Sequence, residues 1–276
     1  MDRFIVDMHT HSTFSHDGRE ELQDMLAVAQ KKGVAFYGVS EHFDFDYDLS
    51  VLSNQDLCAK ILTQSGERYF HAARHLQEDY EGVMNVAIGA EFGYSDDENV
   101  KARYVAEYEK FRPDYVINSV HCMDGKDFAH FQVEGDKRRV YSAYLSTIRR
   151  SLDAPYPYHI VGHIGYAARY VPFEDVSFDL SVFGEQLDDI FRTIIQKDKI
   201  LEVNTASKQL LQRSIPDKTL LKRYYDLGGR KLCFGSDAHF SSRIADKWEE
   251  TVQTLKEIGF AYLTLPFRGE EVKIEL

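Results

Sequence analysis

Seven short runs rich in β-branched and aromatic residues punctuate the chain: FIVDMH (4–9), FYGVSEH (36–42), NVAIGAEF (85–92), YVINSVH (115–121), HIVGHI (159–164), ILEVNT (200–205) and KLCFGSDAH (231–239). Several are almost wholly apolar, as strands covered on both faces are, so the pattern predicts a parallel sheet. A segment long enough for a helix separates each run from the next. In REELQDMLAVAQKKG, Leu22, Met25, Leu26 and Ala29 recur at i, i+3, i+4 and i+7 and Gly33 follows. That spacing predicts an amphipathic crossover helix stopped by a C-cap glycine. Helical spacing recurs in 54–80, 97–110, 137–152, 182–197, 217–227 and 245–258.

An open doubly wound sheet and a closed barrel share this local pattern. The polar positions favour the barrel. His9, His11, His42, Glu91, His121, His163, Asn204, Asp237 and His239 all fall at or just past the carboxyl ends of their runs, and a barrel gathers those ends on one face, where its chemistry is placed. The expectation is an α/β protein with a distorted seven-stranded (β/α) barrel. Neither a linker nor a low-complexity tract interrupts the 276 residues, and 1–276 reads as a single domain.

Composition narrows the function classes. Hydrophobic residues make up 43% of the chain and charged residues 28%, enough apolar material for a large core. Apolar runs fall short of the ~20 residues a membrane span needs, and Met1 to Ile5 lacks the basic and apolar regions of a secretory leader. Cys58, Cys122 and Cys233 form no CxxC pair and suit a reducing compartment, so a cytoplasmic protein is expected. The net charge of −12, from 45 carboxylates against 33 basic residues, argues against a nucleic-acid partner and for a small phosphorylated ligand only where positive charge is concentrated locally.

Histidine supplies the candidate chemistry. His9 and His11 stand two apart on a predicted strand and therefore share a face, and Asp237 and His239 repeat the arrangement on the last strand. Imidazoles mixed with carboxylates suit Zn, Mn or Fe, whereas Mg and Ca prefer all-oxygen shells. A solvated or hydrogen-bonded structural role accounts for His71, His75, His130 and His159, and a loop role for His16. GAEFGYSDDENV lacks the glycine and terminal glutamate spacing of a calcium loop, and LGGRK is a helix stop rather than a nucleotide fingerprint.

DMHTHSTFSHDG, SEH, GAEFG, SVH, GHI and GSDAH, in that order, resemble the PHP (polymerase and histidinol phosphatase) metal-dependent phosphoesterases over nearly the whole length. HIGYAARY and LEVNT bring the resemblance closest to the monofunctional histidinol-phosphate phosphatases. The resemblance implies up to three divalent ions. His9, His11, Glu91 and Asp237 would hold the first, Glu91 would bridge to a second completed by His121 and His163, and Asp17, His42 and His239 would hold a third. Such a set brings about +6 against about −3 from its three carboxylates, so an acidic protein acquires a cationic hole for phosphate. The implied nucleophile is a water shared between ions, with Ser or Cys not required.

Arg169 is the expected phosphate-binding catalytic residue, since its guanidinium matches phosphate oxygens in a two-pronged way. Two positions depart from the phosphatases it resembles. Ala206 stands where they often carry Arg, leaving Lys208 as a substitute point charge, and Gly165 stands where they often carry Asp. EHFDFDYD (41–48), with Phe43, offers aromatic and acidic groups that could meet an imidazole and an ammonium. The expected reaction is hydrolysis of L-histidinol phosphate to L-histidinol and phosphate. Another small phosphate ester, a nucleotide or a nucleic-acid end is the alternative, and a noncatalytic metal-binding protein on the same scaffold is the third.

Overall fold

The computed structural model describes residues 4–50, 54–130, 135–206 and 214–276. Its seven parallel strands, β1 (Ile5–Asp7), β2 (Val34–Phe43), β3 (Asn85–Gly93), β4 (Tyr115–Ser119), β5 (Ile160–Val161), β6 (Ile200–Asn204) and β7 (Leu232–Gly235), are neighbours in chain order. Eight helices among the described residues cover the outside: α1 (Leu22–Lys31), α2 (Gln55–Thr63), α3 (Gly66–Asp79), α4 (Glu98–Phe111), α5 (Lys137–Ser151), α6 (Leu180–Gln196), α7 (Lys218–Asp226) and α8 (Trp248–Ile258). Leu22, Met25, Leu26 and Ala29 are the buried stripe of α1, as their spacing predicts.

The first and last strands meet, which makes the sheet a nearly closed barrel. Met8 N–H donates to the Phe234 carbonyl at 2.9 Å, Asp237 N–H to the His9 carbonyl at 2.7 Å and His11 N–H to the Ala238 carbonyl at 2.9 Å. The seam therefore runs through the segments that carry the candidate ligands. Asp7, fully buried, clasps it from behind, accepting from Ser236 N–H at 2.9 Å, Ser236 Oγ–H at 2.5 Å and Ala245 N–H at 2.8 Å. Below the seam, the Tyr115 hydroxyl donates to the Met8 carbonyl at 2.8 Å. A Cβ on Gly38 would stand 2.3 Å from that hydroxyl and one on Gly89 2.4 Å from the ring, so the glycines of FYGV and AIGA make room for the plug.

Two features differ from the sequence expectation. The segment 54–80 forms two helices rather than one, because Ser65 leaves the helical conformation and its hydroxyl accepts the Arg68 N–H that opens α3. Beyond α8 the chain adds an antiparallel hairpin, β8 (Tyr262–Phe267) and β9 (Glu270–Glu275), turning at Arg268 and Gly269 and burying Leu263, Leu265 and Ile274. None of the helices among the described residues is long and apolar enough to cross a membrane.

Replacing Asp7 by Ala strands the buried donors of Ser236 and Ala245, at about 1–3 kcal/mol for a lost acceptor of this kind. The expected outcome is a loss of about 2–4 kcal/mol in unfolding free energy, measured by denaturant titration, with Asp7→Asn less severe because an amide oxygen still accepts.

Candidate metal centre

β1 ends at Asp7, and the chain continues extended so that His9 and His11 point into the barrel mouth. His9 Nδ1 lies 2.6 Å from Glu202 Oε1, an acceptor, so Nδ1 carries a proton and Nε2 is the nitrogen turned to the cavity. Ser15 Oγ, 3.2 Å from His11 Nδ1, fixes the second ring in the same sense. His9 Nε2 is 3.3 Å from Glu91 Oε2 and 3.8 Å from Asp237 Oδ1, while His11 Nε2 is 3.5 and 3.4 Å from the same two atoms. A tetrahedral shell with bonds of about 2.1 Å has edges of about 3.4 Å, so each imidazole nitrogen stands at about one such edge from both carboxylates.

Glu91 faces both ways. Its Oε1 accepts from Ser119 Oγ at 2.6 Å and lies 2.9 Å from His163 Nε2 and 3.2 Å from His121 Nε2, those two nitrogens being 3.2 Å apart. His42 stands between this group and the next, with Nδ1 2.9 Å from Glu91 Oε2 and Nε2 3.7 Å from Asp17 Oδ1. His239 Nε2 completes the outer group, 2.9 Å from Asp17 Oδ2. The His11 ring is sandwiched between those of His42 and His239, with centroids 4.2 and 4.3 Å away. Three sets bring ligand atoms within 4.8 Å of one another: His9, His11 and Asp237; His42, Glu91 and His121; and His11, His42 and His239. His42 thus joins two of them, where the family resemblance gives it only to the outer one.

The donor atoms fit metal ions on their own chemistry. His9 Nε2, His11 Nε2, His42 Nδ1, His239 Nε2 and Glu91 Oε2 are buried without a hydrogen-bond partner, an arrangement that costs free energy unless a cation completes it. Burial, reinforced by His42 and His239, pushes the His11 imidazole down to about 3, so it is a neutral donor. Burial opposes ionisation of Glu91, yet His9, His121 and His42 overcome it and hold the carboxyl well below the usual carboxylate range. Asp237 is held down in the same way, its burial outweighed by His9, His11 and Arg169.

Sequence reasoning missed the groups that aim these ligands. Glu202 accepts from His9 Nδ1 through Oε1 and from His163 N–H through Oε2, each at 2.6 Å, locking two ligand segments together. Its signal was a lone carboxylate in the apolar strand ILEVNT. Glu41 receives Ser12 N–H at 2.9 Å and the Ser15 hydroxyl at 2.5 Å, fastening the loop after His11. His16 proves to be buried, with Nδ1 2.7 Å from Asp44 Oδ2, and it lines the cleft beside Asp17. His159 lies at the opposite end of its strand and accepts Val116 N–H at 3.1 Å, while His71, His75 and His130 are exposed, in keeping with their structural reading.

Above the ligands opens a cleft of about 350 Å³. Arg169, in a single helical turn after β5, reaches it with a side chain only 5% exposed; Nη2 donates to Asn204 Oδ1 at 2.6 Å and Nη1 to Asp237 Oδ2 at 3.2 Å. Gly165 opens that turn at φ 121°, a conformation an Asp side chain would strain, which accounts for its departure from the expected residue. Lys208 lies outside the described residues. Phe43 requires correction as a substrate contact: strand alternation turns it away from His42, and its ring packs in the core against Phe92, Phe45 and Phe70.

The model of the PHP domain matches residues 7–206. The chain belongs to the PHP family. Among its PHP relatives, the Lactococcus lactis histidinol-phosphatase is 26% identical, with 97% of this chain and 96% of the relative covered. A protein of Thermotoga maritima named probable histidinol-phosphatase is 28% identical, with 95% of each covered. The crystal structure of the Lactococcus lactis histidinol phosphate phosphatase in complex with zinc, L-histidinol and phosphate superposes at a TM-score of 0.79 with 25% identity, covering 98% of this chain and 99% of that one. The crystal structure of a Listeria monocytogenes protein, at TM-score 0.72 and 21% identity with 89% of this chain and 99% of that one covered, shares the fold.

Replacing Glu202 by Gln supplies one acceptor where two are used and turns an amide N–H toward that of His163. Zinc affinity is expected to fall by about 10–100-fold with the fold retained, as measured by chelator competition and circular dichroism.

Proposed function

We propose that this PHP protein hydrolyses L-histidinol phosphate to L-histidinol and phosphate at the barrel mouth. The observation that carries the reading is the convergence of unpartnered, buried ligand atoms beneath a cleft whose rim holds Arg169. His9, His11, Asp17, His42, Glu91, His121, His163, Asp237 and His239 would hold up to three divalent ions of the Zn, Fe or Mn kind. When bound, these supply a water acidified toward neutrality and positive charge for the phosphoryl oxygens. The names of the relatives and the zinc, L-histidinol and phosphate in the similar structure support the same substrate.

The chain's own residues do the rest. Arg169 uses two of its five N–H donors on Asn204 and Asp237, which set the plane of the guanidinium, and keeps others for phosphate oxygens. Asn204 in turn donates to Glu202 Oε1 at 3.1 Å, so the anion-binding group and the His9 support belong to one network. Burial excludes bulk water and strengthens each of these contacts. A nucleic-acid end fits less well, because the cleft sets Asp17, Asp56 and Asp127 beside Lys60 and Arg169 rather than lining a basic groove.

Exhaustive chelation is expected to lower hydrolysis of L-histidinol phosphate by about 100-fold or more, and readdition of Zn, Mn or Fe singly restores it and identifies the preferred ion. Turnover indifferent to chelation sinks the reading. In ¹⁸O-labelled water the label is expected in phosphate and not in the alcohol. Arg169→Lys is expected to raise KM for the ester by about 10–100-fold while metal content, measured by atomic emission, stays near that of the unmodified protein.

A further inference from the structure

The wall of the cleft beside the ligands is built from three loops that each follow a barrel strand. Tyr47 comes from the loop after β2, Asp127 from the short turn-back (Cys122–Asp127) after β4, and Tyr166 from the helical turn after β5. Asp127 is only 1% exposed, and its carboxylate accepts from Tyr47 Oη at 2.6 Å and from Tyr166 Oη at 3.2 Å, with Ala129 N–H as a further donor. Among the described residues no Lys or Arg pairs with it, although a carboxylate so far from water is ordinarily matched by a cation. The wall also abuts the ligands: the Tyr166 ring lies 5.0 Å from that of His121 and 5.1 Å from that of His163, and the Tyr47 ring 5.9 Å from that of His16.

The cleft is therefore electrically two-ended. Arg169 and the ligand cluster form an end for anions, and the Arg169 guanidinium lies 5.4 Å from the Tyr166 centroid. Elsewhere in the same cleft a carboxylate framed by phenol rings offers charge and π faces, the combination that favours an organic cation over a neutral group. A phosphate ester seated by its phosphate at the first end places its alcohol part in the same cleft that Asp127 lines.

We propose that Asp127, held between Tyr47 and Tyr166, is a specificity-determining residue that selects phosphate esters whose alcohol part carries a cationic ammonium or imidazolium group. This rests on the phosphatase reading for the phosphate end. It assigns to the chain's own wall the discrimination between L-histidinol phosphate and an uncharged ester of similar size.

The test compares the metal-loaded protein with Asp127→Asn and Asp127→Glu. L-histidinol, which has no phosphate, is titrated calorimetrically against each, and kcat/KM is measured for L-histidinol phosphate and phenyl phosphate. Asp127→Asn is expected to weaken L-histidinol binding tenfold or more and to lower the ratio of the two kcat/KM values by a similar factor, while Asp127→Glu recovers part of both. A purely structural role moves both esters together and leaves the ratio alone. An unchanged ratio, or equal L-histidinol binding by the unmodified protein and Asp127→Asn, overturns the proposal without touching the phosphatase reading. Failure of the unmodified protein to hydrolyse either ester overturns that reading instead, and L-histidinol binding alone then decides the role of Asp127.

Discussion

The structure depends on the burial of one carboxylate. Glu91 is fully buried at the centre of the barrel mouth, with imidazoles on both of its oxygens and a single hydroxyl donor, Ser119. Removing a carboxylate from water costs several kcal/mol, and the cost is met only by nearby positive charge in good geometry. The other strands at this end bring their polar side chains to it. β2 presents His42, β4 leads to His121, β5 to His163, and the β1–β7 seam brings His9, His11 and Asp237. The whole-chain charge of −12 therefore says little about the ligand, because the local field is set by what this carboxylate gathers.

A barrel is suited to the task because it gives each ligand an independent address. Strand alternation sends His42 inward and Phe43 outward at adjacent positions, so a polar cluster and an aromatic core are built from one strand without competing. The candidate ligands are held on their second sides, His9 and His11 by Glu202 and Ser15, which set ring orientation, and Glu91 by the Ser119 hydroxyl. Such preorganisation matters more for phosphoryl chemistry than for fold stability, since misplaced donors forfeit rate steeply.

Much of this was legible in the chain. The seven strands and the inward-facing histidines follow from short apolar runs that each end in a polar residue, a pattern strong because it repeats. The residues that escaped are those whose role depends on partners remote in sequence. Glu202 and Glu41 look like isolated acids until Ser12, Ser15 and His163 are placed beside them. His16 looks like a loop residue until Asp44 folds under it. Asp127 carries no local signal at all, for Tyr47 and Tyr166 lie 80 and 39 residues away. Phe43 misled for the opposite reason, its neighbours in EHFDFDYD being polar while its own face of β2 is not. The break at Ser65 and the closing hairpin are decided by capping and by packing on β7, which periodicity alone does not weigh.

The seam gives the site a further property. Two of the three hydrogen bonds that close the barrel belong to His9, His11 and Asp237, and those same residues form one of the candidate ligand sets. Closing the barrel and assembling the set are thus one event in the backbone. A cation that draws His9, His11 and Asp237 together strengthens the closure, and a closed barrel presents the cation with a finished site. Binding free energy at such a centre is partly folding free energy. Asp7 sits behind this junction as the chain's own contribution to closure, holding Ser236 and Ala245 in place whatever occupies the front. The seam is therefore clasped at the rear by a carboxylate that accepts hydrogen bonds from backbone N–H groups, and a cation bound at the mouth would clasp it there as well.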